Sequence, residues 1–175
     1  MLRLVGAISF VLLLTQASHA APPKELYGKS VSVTWTETRE QRPVGEQAWR
    51  QIGGSHTLNI YVSEAGRVFN NESYSTRGGS AERVGEIAGS GKRRSFNFNG
   101  RSLVILMASG GAATRFIVEF DAGFSTCSAQ VTRAKEAAGT IVRAYSGIIK
   151  ANIEIRSFRV GGVSCGIRSG NVFAN

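Results

Sequence analysis

The chain predicts an all-β domain of about eight short antiparallel strands, folded as a small barrel or a sandwich. Apolar and polar residues alternate with period two over several separate stretches, as Val31, Val33 and Trp35 do against Ser30, Ser32, Thr34 and Thr36. Turn signals recur between these stretches, among them Asn99-Gly100, the dipeptide most favourable for a two-residue hairpin turn. Two cysteines, Cys127 and Cys165, add one disulfide to hold the strands together.

Residues 1–20 read as a cleaved secretory signal. Met1-Leu2-Arg3 is a short positive start, Leu4 to Leu14 is an almost unbroken apolar run, and Ala17-Ser18-His19-Ala20 places small residues at the cleavage site. The run is about half the length that spans a bilayer, and no cysteine stands at the cleavage point to take a lipid. The mature chain is expected to begin at Ala21 and to be exported to a periplasm or beyond. Its 155 residues suit a single domain, 21–175.

After an extended lead-in carrying Pro22-Pro23, Gly28 to Thr38 reads as the first half-buried strand. Glu37 to Gly54 is polar and broken by Pro43, Gly45 and Gly53-Gly54, and reads as a loop with a helical turn near Glu46 to Gln51 and Trp49 anchoring it on the core. Leu58, Ile60 and Val62 resume the alternation; with a turn at Ser63 to Gly66 and a return over Arg67 to Thr76 they make a hairpin. Arg77 to Lys92, rich in glycine, reads as a loop.

Ser95 to Phe98 and Ser102 to Ala108 flank Asn99-Gly100 as a hairpin with a type I′ turn. Thr114 to Asp121 follows a turn at Ser109-Gly110-Gly111 and completes a three-strand meander. Ala129 to Ala138 fits a short helix or a strand. The stretch from Ile153 to Val160 reads as a strand, and Gly161-Gly162 as a turn into a last strand, Val163 to Ile167. The disulfide then ties that last strand to the segment after the meander. Successive hairpins favour an up-and-down barrel in the manner of calycins, a likeness of architecture alone. Lipocalins open on Gly-x-Trp, whereas here Gly28 stands seven residues before Trp35.

The two cysteines, in an oxidising compartment, form a structural disulfide by default. Its closed loop of about 39 residues is worth roughly 4 kcal/mol in the chain-entropy estimate. They are too far apart, with too few histidines, for a zinc site, and they lack the C-x-x-C spacing of a redox thiol. No metal or cofactor is expected.

Net charge is +9, falling to +8 once Arg3 is removed with the leader. Cys127 to Arg168 carries seven basic residues against Glu136 and Glu154. Such a field attracts polyanions, and Arg133, Arg143, Arg156 and Arg159 are the candidate contacts, because a guanidinium holds phosphate or carboxylate through two bonds.

Other chemistry is poorly supported. His56 is the single imidazole of the mature chain, and no Gly-x-Ser-x-Gly elbow accompanies it. Gly89-Ser90-Gly91-Lys92 lacks the first glycine and the Ser or Thr of a phosphate loop, with Glu86 and Arg93 in those positions. Glu119 and Asp121 would share a strand face at a separation that glycoside cleavage tolerates, but an outward polar face accounts for them as well. Asn71-Glu72-Ser73 matches an N-glycosylation acceptor.

These observations lead to a non-enzymatic binding module of the cell envelope, for a small ligand or an acidic polymer. The alternative is a protein-directed module such as an inhibitor of an exported hydrolase. An eight-stranded outer-membrane barrel fits less well, since the chain ends in Ala174-Asn175 and is short of girdle aromatics.

Overall fold

The structure, a computed structural model, describes residues 21–173 apart from 77–78, 87–93, 110–111, 135–139 and 147–148. The leader assigned to residues 1–20 lies outside the described residues. The strands are β1 Lys29–Pro43, β2 Arg50–Val62, β3 Val68–Thr76, β4 Gly79–Glu86, β5 Arg94–Asn99, β6 Ser102–Ser109, β7 Ala112–Phe120, β8 Cys127–Ala134, β9 Thr140–Ser146 and β10 Ile149–Ser169. One sheet has the order β4-β3-β2-β1-β10-β9, the other β5-β6-β7-β8, with antiparallel neighbours throughout. Neither sheet closes on itself, so the chain takes the sandwich form of the expected all-β fold and not the barrel.

Alternation builds the core. Val31, Val33 and Trp35 of β1 and Leu58, Ile60 and Val62 of β2 meet Leu103 and Ile105 of β6 and Phe116, Val118 and Phe120 of β7, all buried. Each aliphatic or Phe side chain buried in this way is worth about 1.5–3 kcal/mol. The Cys127–Cys165 disulfide links β8 of the smaller sheet to β10 of the larger.

The middle of the larger sheet's other face is lined by hydroxyl side chains. Ser164, Thr34, Thr57 and Ser73 stand in one cross-strand row, and Thr36, Ser55 and Ser75 in the next. Ser32 Oγ donates to Asn59 Oδ1 (2.6 Å), and the Thr34 and Ser164 hydroxyls share a 2.6 Å hydrogen bond.

Several expectations are corrected. The segment 37–54 is mostly strand: β1 runs to Pro43 and β2 starts at Arg50, because their polar residues pair across the ladder from Glu37↔Gly54 to Gln41↔Arg50. The remaining turn holds no helix. Trp49 lies outside the core cluster, with the guanidinium carbons of Arg42 and Arg156 4.5 and 5.7 Å from its ring centre. Lys24–Leu26, expected to be extended, is a 3-10 turn. Gly79–Glu86, part of the expected glycine-rich loop, pairs with β3 as β4.

The hairpin at Asn99-Gly100 forms one residue later than expected. Asn99 pairs with Ser102, so the loop is Gly100-Arg101. Only Gly100 has positive φ (+60°), which matches the type II′ rule of glycine first and not type I′. The 129–138 segment is strand as far as Ala134; residues 135–138 lie outside the described residues.

Gly161-Gly162 does not turn the chain. β10 continues through it, and its register against β1 slips between Thr34 and Thr36. Gly162 has φ +58°, the left-handed conformation that a bulge demands and that glycine adopts without a Cβ clash. Thr36 Oγ1 donates to the Gly161 carbonyl at 2.9 Å.

Candidate functional site

Along β1 the inward face changes character in mid-strand. After Val31, Val33 and Trp35, the same alternation turns Glu37, Arg39 and Gln41 inward. The register places His56 of β2 opposite Trp35, and Tyr74 of β3 opposite His56. Arg133 comes from β8 in the other sheet. Polar side chains thus occupy positions that continue the hydrophobic core.

Glu37 is the hub. Its Oε1 accepts a hydrogen bond from Trp35 Nε1 (3.0 Å) and its Oε2 one from Arg133 Nη1 (3.0 Å). His56 Nε2 lies 3.4 Å from the same Oε2. The Glu37 side chain is 11% exposed and that of Arg133 20%, so this is a mostly buried ion pair joining the two sheets.

The imidazole is held on both faces. It stacks on Trp35 at 5.0 Å and 14°, and on Tyr74 at 5.9 Å and 26°. Trp35 in turn meets Phe116 edge to face at 5.1 Å, and the Arg133 guanidinium lies over Phe158 at 4.9 Å. Burial lowers the pKa of His56 below its ordinary value; Glu37 and Glu72 oppose that shift, while Arg133 and Arg39 reinforce it. Burial thus favours the neutral ring. Its Nδ1 is buried with no hydrogen-bond partner among the described residues.

The four arginines named from charge density do not form one surface. Arg133 faces inward and belongs to the Glu37 network. Arg156 is exposed, 3.6 Å from Glu40 and beside Trp49. Arg159 is exposed opposite Thr38, on the outer side of the sheet. Arg143 lies on β9 opposite Asn152, and its side chain is outside those described. Near Arg156, Arg42 pairs with Glu154 (2.8 Å) and Arg50 with Glu46 (3.1 Å), so carboxylates offset much of the positive charge there.

Other sequence candidates resolve individually. Glu119 accepts a hydrogen bond from Ser102 Oγ at 2.8 Å. Asp121 instead braces its own loop, with Oδ1 accepting from the Ser125 and Thr126 amides (2.7 and 2.8 Å) and Oδ2 from Ser125 Oγ (2.9 Å). Those bonds, Thr126 first, hold its carboxyl far below the usual carboxylate range and support the positive φ of Phe124. Asn71 is buried at 7% exposure on β3, a poor glycosylation acceptor in the folded chain. Residues 87–93 of the phosphate-loop look-alike lie outside the described residues. Among the described residues no group of three or more His, Cys, Asp or Glu side chains converges to hold a metal ion.

The absence of a Gly-x-Ser-x-Gly elbow argues against a catalytic His56 in the sequence, but says nothing of the carboxylate it meets. That carboxylate belongs to Glu37, in a stretch read as loop. The signal was present in the parity of β1, because Glu37 and Arg39 share the face of Val33 and Trp35. No family model matches this chain, nor does any curated protein or solved structure.

Proposed function

We propose that this chain is an exported, non-enzymatic binding module that holds a small ligand at the inward-facing cluster of Trp35, Glu37, His56, Tyr74 and Arg133. One observation carries the reading: the inner face of β1 turns from apolar to charged while remaining largely buried. A buried ion pair is a poor source of stability, since apolar replacements of similar volume are often neutral or stabilising by about 1–4 kcal/mol. Polar groups gathered inside a sandwich are better accounted for by recognition.

His56 supports a binding role over catalysis. Its two faces are covered by aromatic rings, its Nε2 is directed to Glu37, and among the described residues no hydroxyl bonds its Nδ1. A nucleophile–base pair would need such a bond. The buried Nδ1 offers a hydrogen bond to a ligand. The pairing of Arg42, Arg50 and Arg156 with carboxylates favours a small ligand over an acidic polymer on a basic face.

Native mass spectrometry of unreduced protein, purified from its own export compartment, tests this. The expected result is a retained adduct in the wild type that disappears in His56→Ala and Glu37→Gln. A clean apo mass in the wild type, or an adduct that survives both substitutions, overturns it.

A further inference from the structure

We propose that the outer face of the six-stranded sheet is a docking surface for a neutral glycan, separate from the inward cluster. The chain carries 21 basic and 12 acidic residues, yet the two central outward rows across β10, β1, β2 and β3 hold only hydroxyl side chains and glycine. Thr36, Ser55, Ser75 and Ser164 are exposed there. In a strongly basic protein, an uncharged patch of this extent is matched to an uncharged partner. A polyanion would gain nothing from it.

The chemistry of the patch fits a sugar polymer in three respects. Strand geometry sets the hydroxyls on a lattice of about 4.8 Å between strands and about 6.7 Å along them, and each hydroxyl can donate once and accept twice. Some are already held in place, Thr34 and Ser164 by their mutual hydrogen bond and Thr36 by the Gly161 carbonyl. Such short, fixed groups lose little rotamer freedom when a ligand binds.

An aromatic pair lies on the same face, separated from the grid by the row of Ser32, Asn59 and Asn71, with the Arg67 guanidinium 5.3 Å from the Phe69 ring centre. Tyr61 lies opposite Phe69 in register, and the rings stack at 6.4 Å and 27°, both half-buried. A pyranose presents an apolar face to rings of this kind while its hydroxyls reach neighbouring donors and acceptors, and Tyr supplies both functions.

The test is retention of the full-length mature protein on an array of neutral and acidic glycans, with immobilised heparin for comparison. Retention on neutral glycans that is insensitive to added salt is expected, since no ion pairs are screened. Ser55→Glu, which places a charge in the grid, and Tyr61→Ala, which removes half of the aromatic pair, should each weaken it about tenfold or more. Their circular dichroism should match the wild type. Failure to bind any neutral glycan, binding confined to heparin and lost in salt, or undiminished retention by both folded variants overturns the proposal.

Discussion

Exchanging Glu37 for Gln changes one charged oxygen for an amide and leaves the volume of the side chain almost unaltered. In the native chain that carboxylate takes the Trp35 indole N–H and the Arg133 guanidinium at 3.0 Å each and stands 3.4 Å from His56 Nε2. The amide keeps one acceptor, which serves either Trp35 or Arg133, and turns two donors toward groups that are themselves donors. Removing one member of a buried ion pair costs about 3–5 kcal/mol. Arg133 retains some solvent and the amide retains one bond, so we expect about 2–3 kcal/mol, or a fall in Tm of about 4–12 °C for a domain of this size. Urea unfolding of Glu37→Gln, Arg133→Met and the double variant gives the coupling directly, expected at about 1 kcal/mol or more. A single-variant loss below about 0.5 kcal/mol, with additive effects in the double variant, would refute the cross-sheet role of Glu37.

Three further outcomes are expected. Because burial depresses the His56 pKa below 6.5, the unfolded chain binds its proton first as pH falls. Stability contributed by the neutral ring should therefore be present above pH 6.5 and lost as pH falls from 6.5 through the lower folded-state value, and His56→Gln should flatten that part of a stability–pH curve. Opening the Cys127–Cys165 link by the double Ser substitution should cost about 4 kcal/mol in the chain-entropy estimate, visible as a urea midpoint equal to that of the reduced wild type. Gly162→Val forces a β-branched residue to φ +58° and should cost about 1–3 kcal/mol; a thermal melt unchanged from wild type would show that the bulge tolerates side chains.

What was legible in the chain and what was not divide along physical lines. Period-two alternation announced the core parts of β1, β2 and β7, because there one face meets apolar neighbours and the other meets water, while the Asn99-Gly100 turn announced β6. The even cysteine count, with export expected from residues 1–20, announced the disulfide. The reading failed where a strand leaves the apolar core. Glu37 to Gln41 pairs with both β2 and β10, and Arg42 and Pro43 with β10, yet their side chains give no apolar contrast, so the segment looked like loop. Gly161-Gly162 misled for a related reason: the conformation that lets glycine turn a chain also lets it bulge within a strand, and only the partner strand decides between them. The Glu37–His56–Arg133 cluster was hidden because its members lie on β1, β2 and β8. Net charge over a window could point to Arg133 but not to the carboxylate it meets.

The pairing of β10 with β1 has a consequence for the order in which the molecule can assemble. Ser169 pairs with Lys29, so the centre of the larger sheet joins the first strand of the chain to the last. The four strands of the smaller sheet follow one another and need only neighbours in sequence, which makes them quick to find each other. The larger sheet must wait for the C-terminal segment, since without β10 nothing connects β9 to β1. A chain interrupted before residue 149 would still contain everything the smaller sheet needs, but would leave β1 with an open edge where its last partner belongs.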